Sequence, residues 1–123
     1  MPGRFLLYSD ADVSGPVVEA LVRASWDLLR AIDAFPEKTK DLLHFERAAA
    51  LGRVLLSNDR HMLEHAYRWL EEGRSFRGLI WWHQHRYSEM TPGDFLREFE
   101  ALAVQEEDPF ARYPIIIIEP KTG

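Results

Sequence analysis

The chain has 123 residues, of which 46% are hydrophobic, and a formal net charge of -5, which together describe one domain with a buried core. An acidic balance excludes a protein that coats nucleic acid by bulk charge, but leaves room for a nuclease with a local basic rim. With no cysteine there is neither a disulfide nor a thiolate metal site, and no apolar run has the length of a membrane span or a secretory leader; the sequence reads as a soluble, cytoplasmic domain.

Arg4 to Tyr8 is predicted as a buried strand opening into the polar loop Ser9-Asp10-Ala11-Asp12. A helix follows from Gly15-Pro16, where Pro16 suits a first helical position and Val17, Val18, Leu21 and Val22 supply the apolar face. Between Trp26 and Phe35 two readings stay open, a continued helix or a short second strand over Asp27 to Ile32. Pro36 to Lys40 is a loop, Asp41 stands where a helix N-cap belongs, and Leu42 to Leu51 is helical with Gly52 as its stop. Arg53 to Ser57 is the clearest central strand, followed by Asn58-Asp59. A helix from Arg60 to Glu72 carries Met62, Leu63, Ala66, Tyr67 and Leu70 and ends near Gly73. Gly78 to His83 is a further buried strand. Thr91-Pro92 starts a helix with Phe95, Leu96, Phe99 and Leu102 on one side, and Ile115 to Ile118 form the last strand. Continuous apolar strands separated by helices predict a three-layer α/β/α fold around a mostly parallel sheet.

Ligand sites in such sheets gather at the carboxyl ends of the strands. Asp10 and Asp12 follow the first strand there, Asp59 follows the central one, and Asp41 begins a helix that packs on the sheet. Each alone has a plain reading, since Asp is common in turns and at helix caps. Together they form a candidate acidic pocket. At about 4 Å and an effective dielectric near 20, each like-charge pair costs roughly 4 kcal/mol, so the pocket calls for protonation or a hard divalent cation. All-oxygen ligation favours Mg²⁺ or Mn²⁺, and such ions polarise phosphodiesters and activate water.

Three segments carry a resemblance. FLLYSDADVSGPVVEAL is a strand ending in an acidic motif before a Val/Ala/Leu-rich helix; DLLHFERAAALGRVLLS is an Asp-initiated helix running through Ala-x-x-Gly-Arg into a strand; and Ser57-Asn58-Asp59-Arg60-His61-Met62 follows that strand, with GLIWW after the next helix. In this order the sequence resembles short stand-alone bacterial proteins with a PIN-like fold, from Arg4 to Trp82, with the stretch after His83 as an extension. The resemblance implies a single PIN-like domain, favours the strand over Leu28 to Ile32, and implies a metal-dependent ribonuclease, in several members a toxin paired with an antitoxin protein, with homodimers common. Carried over by position, it implies Asp10, Asp41 and Asp59 as catalytic metal ligands for Mg²⁺ or Mn²⁺; Asp12 stands in place of the family's Asn, a further candidate ligand that partly compensates for the charge missing at His61. Ser57 supports the loop, and Ser57, Asn58, Arg60 and His61 stand on the RNA substrate's side. The departure is His61, which occupies the place of a second Asp and brings no equivalent negative charge. Glu46, five residues beyond Asp41, is a secondary candidate.

Arg60, Arg68, Arg74, Arg77 and Arg86, with His61, His65, His83 and His85, give a local positive bias interleaved with Tyr67, Trp69, Trp81, Trp82 and Tyr87. That surface can hold phosphates and stack bases, although a strand bearing Trp81 and Trp82 must bury at least one of them. Glu106-Glu107-Asp108 reads as a solvated loop, and His83-Gln84-His85 is a weak metal signal. Two other functions fit the pattern: an interaction module that keeps the fold without a full metal site, and a phosphoacceptor receiver domain with Asp59 as acceptor and Lys121 after the last strand.

Overall fold

The computed structural model describes residues 4–10, 13, 15–31, 41–83 and 90–119. The described residues form five strands and four helices: β1 (Leu7–Ser9), α1 (Gly15–Arg23), β2 (Leu28–Arg30), α2 (Asp41–Ala50), β3 (Val54–Ser57), α3 (Arg60–Glu71), β4 (Gly78–Trp81), α4 (Pro92–Ala103) and β5 (Ile115–Ile117). The strands make one sheet in the order β2-β1-β3-β4-β5, with every neighbouring pair parallel. The expected α/β architecture is therefore what the chain adopts, with the first strand displaced from Arg4–Tyr8 to Leu7–Ser9.

The period-2 geometry of the strands explains the layers. Leu7, Leu56 and Ile80 point to one face and pack with Val17 and Leu21 of α1 and Phe95 and Phe99 of α4. Tyr8, Leu55, Leu79 and Trp81 point to the other, against Phe45 and Ala48 of α2 and Met62, Ala66 and Trp69 of α3. Both faces of the sheet are covered, which is why its strands lack a polar side. Beyond His83, α4 and β5 belong to this same core: Phe95 and Phe99 are fully buried, and Ile116 lies opposite Ile80.

The ambiguous stretch after α1 resolves as a strand. Ser25 has a left-handed backbone (φ 68), and the amide of Trp26 donates to Leu21 O at 3.0 Å, ending the helix. Leu28 then pairs with Leu7, and the amide of Leu7 donates to Asp27 O at 2.9 Å. Arg53 ties these amino ends together through Leu7 O at 3.0 Å and Asp27 Oδ1 at 2.9 Å. Gly52 (φ 66) and Gly73 (φ 70) end their helices as expected. Thr91 caps α4 through a reciprocal capping box with Asp94. In α3 the buried face is Met62, Ala66 and Trp69, and Tyr67, expected with the apolar residues, is exposed. Among the described residues no helix is long and apolar enough to cross a membrane.

Candidate functional site

Strand β1 lies between β2 and β3, so the chain leaves its carboxyl end in one direction and returns to fill the sheet in the other. Such a reversal opens a crevice at the carboxyl ends of the two central strands. Asp10 follows β1 there, and Ser57 ends β3. The amide of Asp10 donates to Leu56 O at 3.1 Å, which extends the β1–β3 pairing by one step and holds the backbone of Asp10 beside β3.

A hydrogen-bonded chain then crosses between the two segments. The buried Ser57 hydroxyl donates to Asp10 Oδ2 at 3.0 Å and accepts the amide of Asp59 at 3.1 Å. Asp10 is only 3% exposed. A buried carboxylate needs such donors, because an isolated charge in an apolar setting is strongly disfavoured. Asp59 is the N-cap of α3: its Oδ1 accepts the amide of His61 at 2.9 Å, and its carbonyl accepts the indole N–H of Trp81 at 2.9 Å. The β3–α3 turn is thus bolted to β4 as well as to Asp10.

Of the remaining expected residues, Asn58 is buried, whereas Arg60 and His61 are exposed on the first turn of α3. The His61 Nδ1 lies 3.6 Å from Asp59 Oδ1. Helix α2 opens on Asp41, and because it returns antiparallel to the strands, its first turn lies toward the edge that holds Asp10. The side chain of Asp41 and all of Asp12 lie outside the described residues, as do His85, Arg86, Tyr87 and Lys121. Glu46 is exposed. Among the described residues no group of three His, Asp or Glu side chains is placed to hold a metal ion.

Two buried residues beside this crevice carry no motif in the sequence. Tyr8, in the middle of β1, has its Oη 2.7 Å from His44 Nδ1 of α2, both residues being buried. Burial pushes the Tyr8 hydroxyl up to about 12, against a lowering by Arg47 and with a further rise from the Asp10 carboxylate. Burial, and then the Arg47 cation, hold His44 below its ordinary value, so it stays neutral. The available signals were spacings: Tyr8 precedes Asp10 by two along a strand, and His44 follows Asp41 by one helical turn.

The proposed stacking surface needs correction. Trp69, Trp81 and Trp82 are core residues, at most 6% exposed, leaving Tyr67 as the exposed aromatic of α3. Arg74 lies over the Trp69 ring at 3.8 Å and near Glu72 at 3.6 Å, while Arg77 pairs with Asp108. Asp108 is therefore no mere loop acid; it also accepts the amide of Phe110 at 3.0 Å. The exposed Arg60 and His61 stand nearest the acidic turn, with Arg68 two turns further along α3. Compared with protein-family models, curated proteins and solved structures, the chain matches none.

Proposed function

We propose that the protein is a divalent-metal-dependent endoribonuclease of the PIN-like class, of the kind found as toxins with an antitoxin partner and as homodimers. The observation that carries this reading is the Asp59–Ser57–Asp10 chain at the β1/β3 crevice, which ties two acidic segments 49 positions apart through one buried hydroxyl. The donor set is oxygen only, which fits Mg²⁺ or Mn²⁺ rather than a softer ion. Asp10 and Asp59, joined by Asp41 from α2 and by Asp12, would hold it. When bound, such an ion supplies positive charge that polarises a phosphodiester and activates water.

The chain's own residues divide the rest of the work. Ser57 orients the Asp10 carboxylate. Arg60 and His61, on the positive end of the α3 dipole, steady the scissile phosphate and help bind RNA. Asn58 lies buried in the turn between Ser57 and Asp59. Purified protein is expected to cut RNA with Mg²⁺ or Mn²⁺, and Asp10→Asn and Asp59→Asn to lower the rate by at least about 100-fold, as loss of electrostatic stabilisation commonly does. Absence of cleavage by the wild-type chain with either metal defeats the proposal.

One observation favours a second reading, a non-catalytic interaction module on the same fold: Asp59 Oδ1 is already engaged by the cap of α3. Calorimetry separates the two, because the module binds neither metal at near-millimolar concentration. The β2-β1-β3-β4-β5 order also suits a phosphoacceptor, for which acetyl phosphate labelling at Asp59 is the test.

A further inference from the structure

Helix α2 meets the sheet largely through apolar side chains, with the half-buried Arg47 near Tyr8 as a charged neighbour. Phe45 and Ala48 join the cluster that holds Leu55, Met62 and Trp69. Apolar burial is non-directional, and leaves a helix some freedom to slide along the sheet. A hydrogen bond is directional and short-ranged. The Tyr8 Oη to His44 Nδ1 contact, at 2.7 Å, is of this kind and joins α2 to β1 from within the core. The rings lie 5.9 Å apart between centroids, so the contact is made at the polar tips.

Its position relative to the acidic site is specific. Tyr8 is two residues from Asp10 on the strand that ends there, and the Asp10 carboxylate acts electrostatically on its hydroxyl. His44 lies three residues past Asp41 on α2, a spacing that puts the two positions on one side of the helix. We infer that the buried Tyr8–His44 hydrogen bond is a positioning device for the acidic site, setting the depth at which the first turns of α2, and with them Asp41, meet β1 and Asp10. The inference rests on the metal-dependent reading of that site. Neither residue touches the metal or the substrate; both act through Asp41 and Asp10. Partners that hydrogen-bond a metal ligand directly change metal affinity by about 10- to 100-fold when removed, and a pair acting one step further out belongs at the lower end of that range.

The test is Mn²⁺ calorimetry on the wild-type chain, on Tyr8→Phe and on the double variant Tyr8→Phe/His44→Leu. Tyr8→Phe is expected to bind Mn²⁺ about 10-fold more weakly. The double variant removes both partners of the Tyr8–His44 bond together, so its thermal midpoint should recover toward wild type while its Mn²⁺ affinity stays low. Unchanged affinity in Tyr8→Phe, or recovery of affinity together with stability in the double variant, overturns the inference. If the wild-type chain itself binds no Mn²⁺, the metal reading fails, and hydrogen exchange without metal decides the anchoring. Tyr8→Phe should then speed exchange at Phe45 and Glu46 selectively, relative to α3, and an even acceleration across both helices refutes the device.

Discussion

Asp59 holds two jobs that substitution can pull apart. As N-cap it offers Oδ1 to the amide of His61, and as a proposed ligand it offers negative charge at the crevice. Asn caps a helix nearly as well as Asp, whereas Ala does not. Asp59→Asn should therefore keep thermal stability close to wild type while abolishing Mn²⁺-dependent cleavage, and Asp59→Ala should lose about 1 kcal/mol in addition, read from denaturant melts. Equal stability of the two variants would show that the cap contributes nothing. The Tyr8–His44 pair predicts a second measurable behaviour. His44 is held below its ordinary value, so the native state resists its protonation; stability is present above the ordinary value of 6.5 and is lost as pH falls below it. Tyr8 runs the other way, and its contribution is lost as pH rises from 10 toward about 12. Thermal midpoints should fall at both ends, and the fall just below neutrality should shrink in Tyr8→Phe/His44→Leu. An unchanged acid limb in that variant would assign the fall to other groups. Asp10 and Asp59 were legible in the sequence because each stands just past an apolar run, after Ser9 and after Ser57-Asn58. Tyr8 and His44 were not, since their pairing depends on how closely a helix seats on a strand 36 positions away.

Elements are set here by a few backbone decisions. The turn at Ser25 stops α1 and lets Leu28–Arg30 pair with β1, although local propensity allowed the helix to run on. Propensity is a weak guide when tertiary pairing is available, which is why that stretch read two ways. The strands over Val54–Ser57 and Gly78–Trp81 were legible because burial on both faces leaves a continuous apolar run. Gly78 opens β4 for a steric reason: a Cβ there would meet the Phe110 ring at 2.5 Å. Phe110 is itself buried against Phe5, with centroids 5.0 Å apart, so the ring has little room to retreat. Gly78→Ala should destabilise the fold by about 1–3 kcal/mol, the usual consequence of overpacking. A paired Phe110→Leu change should recover part of that loss, and no recovery in denaturant melts would locate the strain elsewhere.

At the scale of the whole molecule, the sheet divides the apolar residues into two clusters that share only its backbone. Four tryptophans are divided evenly between them: Trp26 and Trp82 on the side of α1 and α4, Trp69 and Trp81 on the side of α2 and α3. The sequence offered three of these rings, Trp69, Trp81 and Trp82, as a surface for nucleic acid because their order along the chain does not reveal which face of the sheet each will meet. Buried on opposite sides, they become something else, a pair of intrinsic fluorophores for each layer. Variants that keep the tryptophans of one side only would report the melting of that layer alone, and coincident transitions from the two would mark the layers as one cooperative unit.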